Sequence, residues 1–202
     1  SKVNGAWVSE TINSDGEGYI FKTGDDSFLI NADGFGYGLF PNQVGLFDDW
    51  ETLDQVERGS LLISAYENVL EGKEIGTTDY GLELIRIMRK ERNELILDLV
   101  LDQFKIIYWS FLSDSERVAI ADELESLLWE KIFGSTEHSS KKIFFEAYRD
   151  FSLSALATDR LLSIWRGTLS IEGLNLSERD YVSLTTSLTI RLPERSDEIV
   201  AE

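Results

Sequence analysis

The side chains that could do chemistry in this chain are nearly all carboxylates. Its 202 residues hold 37 acids, 19 lysines and arginines, one histidine and no cysteine. A hydrolytic zinc site draws on about three nitrogen or oxygen ligands, usually two histidines one helical turn apart, and His138 stands alone. It lies between Glu137 and Ser139 at a polar helix start and reads as a solvated loop histidine. No Gly-x-Ser-x-Gly elbow accompanies it, so Ser-His-Asp chemistry has no support. The lack of cysteine removes disulfides, thiolate metal sites and thiol catalysis. Acid–base glycoside cleavage would need two carboxylates facing across a cleft, one held protonated by its surroundings. Asp25-Asp26 reads as a turn and Asp48-Asp49 as a helix start, while Asp98 and Asp102 stand four apart on an otherwise apolar helix. Like charges at that spacing repel, so a cation such as Lys105 is the simpler partner. No residue is assigned a catalytic, cofactor-binding or metal-ligating role.

Two glycine-containing stretches resemble ligand loops. Gly34-Phe35-Gly36-Tyr37-Gly38 has the look of a phosphate loop, but it lacks the final spacing and opens no helix. A glycine-rich strand packed close to another backbone is the better reading. Asn13-Ser14-Asp15-Gly16-Glu17-Gly18 hints at calcium, yet position twelve of such a loop falls on Gly24 rather than a glutamate. It reads as a turn. The five tryptophans, Trp7, Trp50, Trp109, Trp129 and Trp165, are spread over the elements and read as packing residues. A formal net charge of −18 repels phosphate backbones and anionic lipid, so neither nucleic acid nor a membrane surface is an expected partner. The greasiest stretch, residues 95–112, carries Asp98, Asp102, Gln103 and Lys105 and cannot be a membrane span.

The elements that would position these groups change character near residue 47. Residues 1–47 read as short antiparallel strands: Trp7-Val8, Tyr19-Ile20-Phe21, Phe28-Leu29-Ile30 and a period-two run from Phe35 to Phe40 that Pro41 ends. So few short strands suggest the end of a larger sheet. Residues 48–202 turn helical. Val56, Ser60, Leu62, Ile63, Tyr66 and Leu70 give the first stripe, which Gly72 stops. Thr77 or Thr78 caps a second helix, and the third, residues 93–112, is apolar except for a narrow stripe of Glu94, Asp98, Asp102 and Lys105. Ser113 to Glu116 is a capping box, Ser139 or Ser140 opens a fifth helix, residues 153–167 form a sixth, and Ser177 to Asp180 starts a seventh. Pro193 begins a further helical turn. With hydrophobic residues at 43%, the chain can bury a core. The expected fold is mostly α: a right-handed αα-superhelix of HEAT- or armadillo-like hairpins after a small antiparallel β segment. A start without methionine and an unfinished last helix suggest a fragment.

Two stretches together carry a family resemblance. Residues 29–40, then Trp50, Leu53 and Val56-Glu57-Arg58-Gly59-Ser60-Leu61-Leu62, are similar to one junction in M1-family zinc aminopeptidases. There an N-x-x-G-x-G-Y strand closes a β-sandwich domain and an acidic-Arg helix opens the C-terminal helical domain. Residues 159–165 and 176–181 resemble a deeper part of that domain. The resemblance implies that the chain's partners are upstream catalytic and β-sandwich domains of the same polypeptide. It also implies zinc in that upstream domain and a peptide substrate trimmed there. This chain would then shape and close the substrate chamber without turnover of its own. A non-enzymatic helical interaction module is the second expectation, and an acid–base glycosidase a distant third.

Overall fold

The computed structural model describes residues 2–3, 6–7, 28–36, 38–40, 44–73 and 75–201. The turns at 13–18 and 24–27, the run at 19–21 and the Asp25-Asp26 pair lie outside the described residues. Two short strands, β1 (Lys2–Val3) and β2 (Ala6–Trp7), pair antiparallel with Lys2 opposite Trp7. Everything from residue 44 onward is dominated by helix. Eight α-helices follow among the described residues, and the chain forms two compact units, Ser1–Ile107 and Tyr108–Glu202.

In the first unit, 3-10 turns at Val44–Phe47 and Trp50–Thr52 lead into α1 (Gln55–Leu70). Asp54 caps α1 by accepting from the Glu57 N–H at 2.9 Å, and the Glu57 carboxylate accepts the Asp54 N–H at 2.8 Å. Gly72, at φ 66°, closes the helix by letting the Lys73 N–H reach the Asn68 carbonyl. Helix α2 (Thr77–Lys90) starts one residue earlier than a threonine cap requires. Its N-cap is Gly76, whose extended backbone presents a carbonyl to the Tyr80 N–H at 2.9 Å. Asn93 caps α3 (Glu94–Ile106), and one π-helical turn, Ile107–Phe111, follows it directly. The single helix expected over 93–112 therefore changes its winding after Ile106.

The segment before α1 departs from expectation. Residues 28–30 run into a turn, and no strand forms over the described residues between 35 and 40. The Asn31 side chain is the cause. Its Oδ1 accepts the Gly36 N–H at 2.5 Å and its Nδ2 donates to the Gly36 carbonyl at 3.2 Å, which uses both groups a ladder would need. A Cβ on Gly36 would come within 2.8 Å of Asn31 Oδ1 and of Phe40 Cζ, so a larger residue there would push the Asn31 clamp and the Phe40 ring aside. The clamped loop lies against α1: Ser60 Oγ donates to the Asn31 carbonyl and Asn68 Nδ2 to the Phe40 carbonyl. Ser60, Ser64 and Asn68 are therefore buried, although small and polar.

The second unit opens with α4 (Asp114–Gly134), started by the Ser113–Glu116 capping box. Helix α5 (His138–Phe151) begins at His138 with Glu137 as N-cap, slightly before the expected serines. Ser154 caps α6 (Ala155–Trp165) by accepting from the Ala157 N–H, and the Ser177–Asp180 box starts α7 (Glu178–Arg191). Pro193–Arg195 makes a 3-10 turn before α8 (Ser196–Ala201). Leu128, Ile132, Phe145, Tyr148, Leu161 and Leu188 are fully buried at its centre.

Candidate functional site

The first unit leaves part of its helical surface apolar and open. At about 100° per residue, Val56, Ile63 and Leu70 fall within about 40° of one another on α1. They are 56%, 54% and 42% exposed and face outward, while Ser60 and Leu62 of the same expected stripe are buried. Helix α1 is apolar on two sides: Leu61, Leu62, Ala65 and Val69 fill the interior instead. Tyr66 and Gly59 lie beside the outward stripe and are partly covered.

Helix α3 supplies the matching half. Its interior side is Ile96, Leu97, Val100, Gln103 and Phe104, while Leu95 is 71% and Ile106 44% exposed. The seam between the helices is fixed at two points. Ile96 Cδ1 lies 3.6 Å from where a Cβ on Gly59 would stand, and Gln103 Nε2 donates to the Leu62 carbonyl at 3.3 Å. Both points advance along the two helices in the same direction, so α1 and α3 run side by side. Moving outward from that seam, helical spacing brings up Leu95 and Ile106 on one bank and Val56, Ile63 and Leu70 on the other. The result is an apolar trough with Gly59 at its floor.

A buried polar knot holds the seam in register. Tyr80 of α2 donates to Gln103 Oε1 at 2.7 Å, and its hydroxyl also lies 3.3 Å from the Leu62 carbonyl. Burial, then the neighbouring Tyr66, pushes the Tyr80 phenol far above its ordinary value. It stays protonated and a donor at any relevant pH.

Acids border the trough. Glu67 of α1 and Glu71 just past its end are exposed beside the stripe, and on α3 the half-buried Glu94 and the exposed Asp98 and Asp102 form a ridge that also carries Lys105. Burial, then the charges of Asp102 and Glu94, raise the Asp98 carboxyl above its ordinary value. Asp98 and Asp102 thus stand as neighbouring like charges on the exposed side of α3.

The other residues singled out by sequence go elsewhere. His138 Nδ1 sits 2.9 Å from the Gly173 carbonyl, tying the start of α5 to the loop before α7. Asp48 pairs with Arg86 at 2.8 Å, and Arg86 also pairs with Glu83. Trp50 is buried with its Nε1 donating to Glu91, and Trp129 packs on Tyr148 with the Arg160 guanidinium 4.4 Å above its ring. Trp165 Nε1 donates to Thr185, and Trp109 is 43% exposed with Arg117 over it. Among the described residues, no three His, Asp or Glu side chains come together as a metal site, and no helix is long and apolar enough to cross a membrane. The trough itself had a sequence signal, since Val56, Ile63 and Leu70 repeat every seven residues. Comparison with protein-family models, curated proteins and solved structures gives no match.

Proposed function

We propose that this chain is a non-enzymatic helical interaction module, part of a right-handed HEAT- or armadillo-like hairpin stack, that binds a protein partner in the α1/α3 trough. The observation that carries this reading is a set of five large apolar side chains on the paired helices α1 and α3, each more than 40% exposed, which helical spacing places on the outer side of the pair. Scattered surface leucines need no explanation, but an aligned set with a polar border marks a contact surface. The test is selection of binders from a library of displayed random helical peptides. Enriched sequences should lose binding to Ile63→Asp and Leu95→Asp proteins that melt at the parent temperature. Enriched binders indifferent to both substitutions would remove the trough as the binding surface.

A second reading keeps the chain as the chamber-closing part of an M1-like zinc aminopeptidase, its trough covered by the upstream domains of the same polypeptide. Zinc and the trimmed peptide would both belong upstream. The sequence resemblance over residues 29–40 and 56–62 favours it, while the Asn31-clamped loop, standing where that family has a closing strand, ranks it second. Sequencing the reading frame upstream of Ser1 decides: a His-Glu-x-x-His with a later glutamate establishes it, and a frame without one ends it.

A further inference from the structure

We infer that the occupant of the α1/α3 trough is an amphipathic helix whose apolar face is bordered by lysines or arginines. This rests on the interaction-module reading and adds the chemistry of the partner. The first argument is dimensional. Val56 and Leu70, with Ile63 midway, lie fourteen positions apart on α1, about 21 Å at 1.5 Å per residue, or four turns of a docked helix. Two parallel rows of apolar side chains with a glycine between them present ridges and a groove, the surface into which a third helix packs. An extended strand would find no free backbone edge on either helix.

The second argument is charge. Glu67 and Glu71 border one bank, while Asp98 and Asp102 are exposed along the other. Arg58, the only cation on α1, is directed to Glu91 and the Trp50 carbonyl. Cations on the flanks of an incoming helix would therefore meet acids on both sides, and Asp98 would be relieved of the repulsion from Asp102 and Glu94. The same borders disfavour three other occupants. A second copy would set acidic rims against acidic rims on bodies of net charge −18. The chain's own residues 8–27 carry Glu10, Asp15, Glu17, Asp25 and Asp26 against Lys22. An anionic lipid surface would be repelled by both rims.

The experiment uses the full chain and three synthetic 18-residue peptides: one with a leucine heptad face and lysine flanks, one with the same face and glutamate flanks, and a scrambled lysine peptide. Titration calorimetry should show the amphipathic lysine peptide binding at least tenfold more tightly than either control at low salt. Raising sodium chloride to about 1 M, where screening shortens to about 3 Å, should weaken it severalfold. Ile63→Ser and Leu95→Ser should each weaken it about tenfold, and Asp98→Asn with Asp102→Asn should shrink the preference for lysine flanks. All four positions are exposed, so folding is checked simply by an unchanged melting temperature. Equal binding of lysine and glutamate peptides, both lost in Ile63→Ser, overturns the basic partner and leaves the interaction module standing. Equal binding of the scrambled peptide, or binding indifferent to Ile63→Ser, overturns the trough as well. A concentration-dependent dimer abolished by Ile63→Ser identifies a second copy as the occupant and also overturns the inference.

Discussion

Both units bury a glutamate where one helix hands over to the next, and they neutralise it differently. In the first unit Glu91, 3% exposed, follows α2 and accepts from Trp50 Nε1 at 3.0 Å, from the Arg92 and Asn93 N–H groups at 2.8 Å, and from Arg58 at 3.2 Å. In the second, Glu125 of α4, 5% exposed, accepts the Leu153 and Ser154 N–H groups at 2.6 and 2.9 Å and the Ser154 hydroxyl. The nearby cation, Arg191, spends its hydrogen bonds on the Arg149 and Ser152 carbonyls at the end of α5. The carboxylate thus meets the positive start of α6, and the guanidinium meets the negative end of α5. One unit pairs opposite charges directly, while the other lets two helix ends stand between them. A buried charge needs donors or acceptors in good geometry more than it needs a counter-ion.

The sharpest way to break this comparison is Glu91→Ala. It would leave a buried indole N–H, two backbone N–H groups and a guanidinium without their acceptor, a loss of about 3–4 kcal/mol. Hydrogen exchange should show protection falling first in α1. Glu125→Ala removes three donors' partner but strands no cation, so about 2–3 kcal/mol is expected, read in the amides of α6. If Glu125→Ala costs more than Glu91→Ala, direct pairing is the weaker device here. Arg58→Met sharpens the contrast by turning the Glu91 site into one resembling Glu125. Three N–H donors would remain, and the Arg58 side chain is 22% exposed, so the expected loss is about 1 kcal/mol. A loss as large as that of Glu91→Ala would show that the cation dominates.

Neither glutamate was legible in the sequence, for a plain reason. Glu125 takes donors 28 and 29 positions away, and Glu91 takes its indole from 41 positions away. What could be read was local. The Ser113–Glu116 and Ser177–Asp180 boxes close within four residues and stand where expected, and the narrow acidic stripe on α3 follows from spacing alone. The run from Phe35 to Phe40 failed as a strand because the Asn31 side chain, five residues before Gly36, captures it first. The stripe expected on α1 divides, with Ser60 and Leu62 interior and Val56, Ile63 and Leu70 exposed, because that helix is apolar on two sides and the Asn31–Phe40 loop docks on Ser60 and Asn68. The candidate site was therefore written in the sequence as a period, without the sign that says which way it faces.

A third carboxylate tests the comparison at its midpoint. Asp180 of α7 accepts the Ser177 N–H and hydroxyl at 2.7 Å each and Lys142 Nζ at 3.0 Å, combining a helix start with a cation. Burial raises its carboxyl, but the Ser177 and Lys142 hydrogen bonds outweigh that and hold it down at about 2. A carboxyl with a lowered folded-state value contributes stability at neutral pH, and that contribution fades as pH falls from about 4 toward 2. Lys142 is 33% exposed, so screening leaves about 1–2 kcal/mol. Urea unfolding of Asp180→Asn should therefore show that deficit at pH 7, shrinking as pH falls below about 4 and gone only below pH 2. Raising salt at pH 7 should remove only the Lys142 share, because the Ser177 donors belong to the helix start and are not screened. A deficit that vanishes entirely in salt would make Asp180 an ion pair like Glu91, and one that does not move at all would place it with Glu125.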